Sequence, residues 1–120
     1  MSMWMTCGNV SDVRQARELV SRSLSDQSES SRDAAVLLVD ECVTNAVLHG
    51  GGECELRVRR DSGTLRVEIA DASPEPPVLL DPAPESERGR GLAIVNRLAS
   101  RWGSDQVENG KVVWFELVLD

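Results

Sequence analysis

The repeat of apolar residues along the sequence changes abruptly at one point, and this change constrains the fold more than any other feature. From about residue 32 to residue 48 there is no glycine or proline, and a run of three glycines at 50–52 then ends the predicted helix. Immediately afterwards apolar and polar residues alternate over 54–59 and again over 65–69. A long apolar helix followed by a hairpin with one buried face predicts a mixture of helix and antiparallel strand.

The other elements follow from similar patterns. A first helix is predicted from Ser11, as its N-cap, to about Leu24, and a third helix from Gly91 to Trp102. A β-rich segment closes the chain, and a short first strand is possible at 3–7. Five prolines between residues 74 and 84 predict a long loop. This order predicts an α+β fold, a two-layer sandwich whose mostly antiparallel sheet carries helices on one face.

Composition limits the classes of function. With 120 residues, the chain is expected to form a single domain over 1–120. Its net charge of -7 argues against direct binding of a nucleic-acid backbone. One histidine and three cysteines, without metal-ligand spacing, argue against a zinc site. No apolar run approaches the roughly 18 residues that span a bilayer, so we expect a cytoplasmic protein without membrane contact.

The apolar helix carries two polar residues on one face. Glu41 and Asn45 are four residues apart and so project from the same side, opposite an apolar stripe. A structural hydrogen-bonded pair or a partly solvated helix edge would explain them, because a buried carboxylate without partners is costly. Downstream, Asp71 ends a predicted strand, where it can accept from an exocyclic amine. Gly89 and Gly91 precede a predicted helix, whose N-terminus favours phosphate oxygens.

The motifs "DECVTNAVLHG", "VEIADAS" and "GRGLAIV" resemble the N, G1 and G2 boxes of the GHKL ATPase superfamily. Within it, the chain most resembles the small serine-protein kinases that act as bacterial anti-sigma factors, and their actinobacterial relatives. The resemblance covers about residues 11 to 120. It implies a Bergerat-type fold that binds ATP and Mg²⁺.

The resemblance also implies roles for individual residues. Glu41 matches the glutamate taken as the general base, Asn45 the asparagine that holds Mg²⁺, and Asp71 the aspartate that accepts from the adenine amino group. His49 ends the N-box helix, where a capping or packing role is expected. The remaining nucleotide-binding positions implied are Ser73, Arg88, Gly89, Arg90, Gly91 and Leu92.

The G1 box departs from the family's usual form. Where many relatives read D-x-G-x-G, this chain has "DASPEP", so Ser73 and Glu75 stand in place of the glycines. Glycine allows the backbone to approach a nucleotide closely, whereas Pro74 and Pro76 stiffen the segment.

The resemblance implies an ATP-dependent serine kinase that phosphorylates an anti-anti-sigma protein of the STAS type and sequesters a sigma factor, acting as a homodimer. Two alternatives stay open. One is a binding module of the same fold without catalysis, and the other is a detached ATPase domain related to sensor histidine kinases.

Overall fold

The segments in which apolar and polar residues alternate lie together in one antiparallel sheet. The structure is a computed structural model, and it describes residues 2–49, 52–73 and 98–119. Its elements in chain order are β1 (Ser2–Cys7), α1 (Val10–Ser23), α2 (Glu29–His49), β2 (Cys54–Asp61), β3 (Thr64–Asp71), β4 (Arg101–Val107) and β5 (Gly110–Val118).

The strand order in the sheet is β1-β2-β3-β5-β4, and each neighbouring pair is antiparallel. Both described helices pack together, and α2 lies on β2 and β3. The predicted α+β sandwich, with helices on one face of the sheet, is therefore confirmed. The expectation of a single domain over 1–120 stays a prediction.

Alternation along the strands builds the core. On β3, the side chains of Leu65, Val67 and Ile69 are buried and face the helices, whereas Arg66 and Glu68 face the other side. Full burial of such an apolar side chain stabilises the fold by roughly 1.5–3 kcal/mol. From α2 the sheet receives Ala35, Leu38, Val39, Cys42, Val43 and Ala46.

The first helix begins earlier than the sequence predicted. Its N-cap is Asn9, whose side chain accepts a hydrogen bond from the Ser11 backbone N–H at 3.0 Å, so the prediction of Ser11 as the cap was wrong. The Asp12 carboxylate in turn accepts from the Asn9 N–H at 3.2 Å, which completes a capping box. Asparagine satisfies the free N–H groups of a first turn as well as serine does.

The strand β4 was not predicted. The sequence placed Trp102 at the end of a third helix, but the structure places it in β4, opposite Phe115 of β5. Most of β4 is exposed and polar at the end of the described sheet order, so it lacks the apolar alternation from which strands are predicted. Of the rest of the predicted third helix, Leu98 is helical, Ala99 and Ser100 are not, and 91–97 lie outside the described residues.

The face of the sheet away from the helices is polar. Its centre is Trp114, whose ring lies 4.4 Å from the Arg66 guanidinium carbon and 5.8 Å from that of Arg101. Glu116 accepts from both arginines, at 2.9 Å in each case. A Cβ at Gly103 would lie 2.8 Å from the Trp114 ring, so only glycine leaves room for the indole there. Hydrogen-bonded charges and an aromatic ring thus cover this face.

Candidate functional site

The polar face of α2 carries Glu41 and Asn45 as predicted. Both side chains are half-buried, and on the opposite side Cys42 and Ala46 pack into the core. Within the described residues, neither Glu41 nor Asn45 makes a hydrogen bond or ion pair with another side chain. Among the described residues the two side chains therefore do not form the mutual structural hydrogen bond that would explain their position.

The environment of Glu41 raises the pKa of its carboxyl group. Burial disfavours the charged carboxylate and raises the pKa of Glu41 above its ordinary value of 4.5, and the neighbouring charge of Asp40 adds to the effect. A carboxylate with a raised pKa is a stronger base once ionised, which suits general-base chemistry near neutral pH.

Asp71 stands at the end of β3 and faces the helix side of the sheet. It is 8% exposed, and its carboxylate Oδ1 accepts a hydrogen bond from Lys111 Nζ at 3.0 Å. The same oxygen accepts from the Ser73 backbone N–H at 2.9 Å, which folds the chain back after the strand. The predicted adenine acceptor is thus part of a buried ion pair.

Sequence reasoning missed Lys111. The signal was present, because Lys111 has the same strand parity as Val113, Phe115 and Leu117, and so falls on the apolar face of β5. The register pairs it directly with Asp71. A lysine on a buried face needs a carboxylate partner, and Asp71 is the one that the strand pairing provides.

Gly110 brings the two strands close enough for this pair. Its φ is 154°, and a Cβ added there would contact the Asp71 carbonyl oxygen and lie 2.9 Å from the Ala72 Cα. Any other residue would therefore force β5 away from the end of β3. Glycine at this position keeps Lys111 opposite Asp71.

Chain connectivity places these groups at one end of the molecule. Asn45 lies about one turn before the end of α2 at His49, and only residues 50–53 separate that end from β2. Cys54, the first residue of β2, lies near Asp71, whose charge contributes to the raised pKa of the Cys54 thiol. The last turn of α2 and Asp71 therefore occupy the same end of the sheet.

Asp71 also lines an open cleft of about 510 Å³, together with Cys54 and Glu108. Glu41 and Asn45 do not line this cleft, so it does not unite the predicted site residues. Ser73 is half-buried, and its backbone N–H bonds to Asp71. The predicted positions Arg88, Gly89, Arg90, Gly91 and Leu92 lie outside the described residues.

A magnesium ion would fit the donors that α2 presents. Mg²⁺ takes oxygen ligands and is usually held by one or two protein groups with water and substrate phosphates. The half-buried Asn45 amide offers such an oxygen. Over residues 2–49, 52–73 and 98–119 no group of three or more His, Cys, Asp or Glu side chains could hold a metal ion.

No helix within the described residues, α1 and α2 included, is long and apolar enough to cross a membrane.

The Lys111–Asp71 pair predicts strong coupling in stability. We expect Lys111→Met to lower the free energy of unfolding by about 3–5 kcal/mol, because it leaves the buried Asp71 charge without a partner. The double variant Lys111→Met/Asp71→Asn should lose less than the sum of the single losses. Urea unfolding of Lys111→Met, Asp71→Asn and the double variant measures these losses. The exposed Arg59→Met serves as the control, and its free energy of unfolding is expected within about 0.5 kcal/mol of wild type. Strict additivity would contradict the pair.

Glu41 predicts a pH dependence of stability. Because its pKa is raised in the folded state, the folded chain binds this proton more tightly than the unfolded chain does. The resulting stabilisation is present at low pH and is lost as pH rises through the folded pKa. Relative to Glu41→Gln, the wild type should therefore lose stability as the pH rises above the ordinary carboxyl pKa of 4.5 and through the raised pKa of folded Glu41, measured by urea unfolding.

A matched pair of variants checks the cause of this shift. Asp40→Asn should reduce the pH dependence, because it removes the second contribution to the raised pKa. Asp33→Asn, which changes an exposed carboxylate on the same helix, should leave it unchanged. An equal effect of both variants would contradict this explanation.

Comparisons with known proteins agree with the motif resemblance. The family model for the histidine kinase-like ATPase domain matches residues 3–117 of this chain. An uncharacterized protein of Streptomyces coelicolor is 39% identical over 71 residues, which cover 55% of this chain and 68% of that protein.

Two solved structures share the fold. The structure of the RsbU and RsbW domains of Rv1364c from Mycobacterium tuberculosis matches with a TM-score of 0.74 and 18% identity, over 99% of this chain and 32% of that one. The histidine kinase domain of the blue-light activated kinase from Erythrobacter litoralis EL346 matches with a TM-score of 0.55 and 27% identity, over 74% and 45%. This chain thus covers less than half the length of either of the two matched protein chains. The family match covers nearly all of the sequence, and the chain belongs to the histidine kinase-like ATPase domain family.

Proposed function

We propose that this chain is a Mg-ATP-dependent protein serine kinase. The observation that carries the proposal is the pair of half-buried, unengaged polar side chains on α2, a carboxylate with a raised pKa and an amide four residues later. Membership of the ATPase-domain family supports ATP binding and kinase- or ATPase-type chemistry. The serine specificity rests on the motif resemblance.

Each residue has a defined task in this proposal. Glu41 accepts the proton of a serine hydroxyl on the partner protein as its oxygen attacks the γ-phosphorus, and ADP leaves. The Asn45 amide oxygen would hold Mg²⁺, which neutralises developing charge on the phosphates when bound. Asp71 accepts from the adenine amino group. Ser73, Arg88, Gly89, Arg90, Gly91 and Leu92 are proposed to line the rest of the nucleotide site.

The proposed partners rest on the motif resemblance and on one structural neighbour, which contains an RsbW domain. We propose that the chain phosphorylates a small anti-anti-sigma protein of the STAS type and sequesters a sigma factor. The net charge of -7 is compatible with basic or mixed-charge protein surfaces.

One observation favours a second candidate, a binding module of the same fold without catalysis. The carboxylate expected to receive adenine already accepts from Lys111 and from the Ser73 N–H. Adenine would have to share that acceptor or use the other carboxylate oxygen. If the Asp71 carboxylate cannot accept from adenine as well, the chain would bind ATP weakly or not at all.

Nucleotide titration and phosphotransfer separate these candidates. Calorimetry should detect Mg-ATP binding by the wild type, weakened at least tenfold by Asn45→Ala, since losing even a residue that only orients a metal ligand typically costs about 10–100-fold in metal affinity. Glu41→Gln should retain binding and lose transfer of radiolabelled phosphate to a STAS-type protein by a factor of about 10²–10⁴. No binding at millimolar Mg-ATP, combined with tight partner binding, would support the non-catalytic module. Equal binding by wild type and Asn45→Ala would contradict the metal site.

A homodimer is part of the proposal. The strand β1 ends the described sheet order, and its Trp4 side chain is 68% exposed. Exposed aromatic residues are enriched in protein interfaces. We expect light scattering to give the mass of two chains, and Trp4→Ser to shift the protein toward monomer. A monomeric mass for the wild type at micromolar concentration would contradict the dimer.

A further inference from the structure

Two of the three cysteines lie side by side on neighbouring strands. Cys7 is the last residue of β1 and pairs in register with Cys54, the first residue of β2. Directly opposite residues on antiparallel strands have Cβ atoms about 4.5–5.5 Å apart, and a disulfide requires roughly 3.5–4.5 Å. A small approach of two strands that are already paired therefore suffices to join the two sulfur atoms.

Both thiols face the helix side of the sheet and interact with each other. Cys7 is fully buried and Cys54 is 2% exposed. A hydrogen bond from the Cys54 thiol lowers the pKa of Cys7, and the same interaction raises the pKa of Cys54. The Cys7 sulfur is thus the better nucleophile of the two. Cys42 differs, because burial raises its pKa to about 12 and it packs into the core from α2.

We propose that Cys7 and Cys54 form a redox-active dithiol, a modification site that hydrogen peroxide converts into an intramolecular disulfide. The Cys7 thiolate attacks one peroxide oxygen, the O–O bond breaks, and Cys7 becomes a sulfenic acid while hydroxide leaves. The Cys54 sulfur then attacks the Cys7 sulfur and displaces the oxygen as water. Two thiols lose two electrons and two protons in total, and the peroxide is reduced to two water molecules.

The position of β1 gives peroxide a route to the buried pair. Among the described strands β1 pairs with β2 alone, so local opening of this edge exposes Cys7 while β2 stays paired with β3. Cys54 remains on the better-anchored β2, which has a strand on either side. This arrangement places the nucleophile on the end strand of the described sheet and the resolving thiol on an inner strand.

The disulfide would act on the rest of the molecule by closing a ring of chain. The segment between Cys7 and Cys54 contains both α1 and α2, and hence Glu41 and Asn45. Cys54 also lies near Asp71. Oxidation therefore ties β1 to the same end of the sheet as the proposed nucleotide site. The proposal itself does not depend on kinase activity.

The test is oxidation of the full chain with hydrogen peroxide, followed by intact-mass and thiol measurements. We expect loss of about 2 Da, that is two hydrogen atoms, and one titratable thiol under denaturing conditions where the reduced chain has three. Proteolytic mapping should recover a peptide pair linked through Cys7 and Cys54. The melting temperature should rise by roughly 10 °C and return on reduction.

Matched variants identify the cysteines involved. Cys42→Ala should lose the same two hydrogen atoms, whereas Cys7→Ser and Cys54→Ser should not. Because a serine in the core can impair folding, the peptide map of the wild type decides the result if those variants are unstable. Three thiols that persist in peroxide, a link that includes Cys42, or disulfides found only between chains would each overturn the proposal.

Discussion

The packing of α2 onto β2 and β3 is the interaction on which the rest of the molecule depends. The helix brings six buried side chains to a sheet whose helix-facing residues are almost all apolar. Its orientation about its own axis is thereby fixed, since any rotation would expose this stripe to water. The polar residues Glu41 and Asn45 are then held on the other side at partial burial. The apolar contacts of the core thus determine on which side of α2 the Glu41 and Asn45 side chains lie.

A second constraint acts at the end of the sheet. Asp71 and Lys111 are charged residues at inward positions of β3 and β5, and each is buried only because the other is opposite. A buried ion pair contributes little net stability, but breaking it is costly, so it specifies the register of the two strands. The same contact occupies the carboxylate that the motif assigns to adenine. Under the proposed function, Asp71 would therefore have to hold Lys111 and accept from adenine at the same time.

Much of this architecture could be predicted from the sequence, for identifiable reasons. The β2–β3 hairpin was recognised because its alternation is strict and Gly63 closes a two-residue turn. The position of Glu41 and Asn45 on one face followed from helical geometry alone. The strand β4 was missed because an exposed edge needs no apolar period, and the Asn9 cap because serine and asparagine cap equally well. Lys111 was missed because its partner is forty residues away, and only the strand register brings the two together.

The two ends of the described sheet differ in character. The β4 end carries Arg101, Ser104, Asp105 and Gln106, polar side chains that make a poor template for another strand, whereas β1 exposes Trp4 between Met3 and Met5. Of the two end strands described, β1 is therefore the less protected template for a further strand. Two chains meeting through their β1 edges would share a two-fold axis and consume both apolar edges at once. Such an assembly is closed by symmetry and, among the described strands, leaves only the polar β4 strands at its two ends.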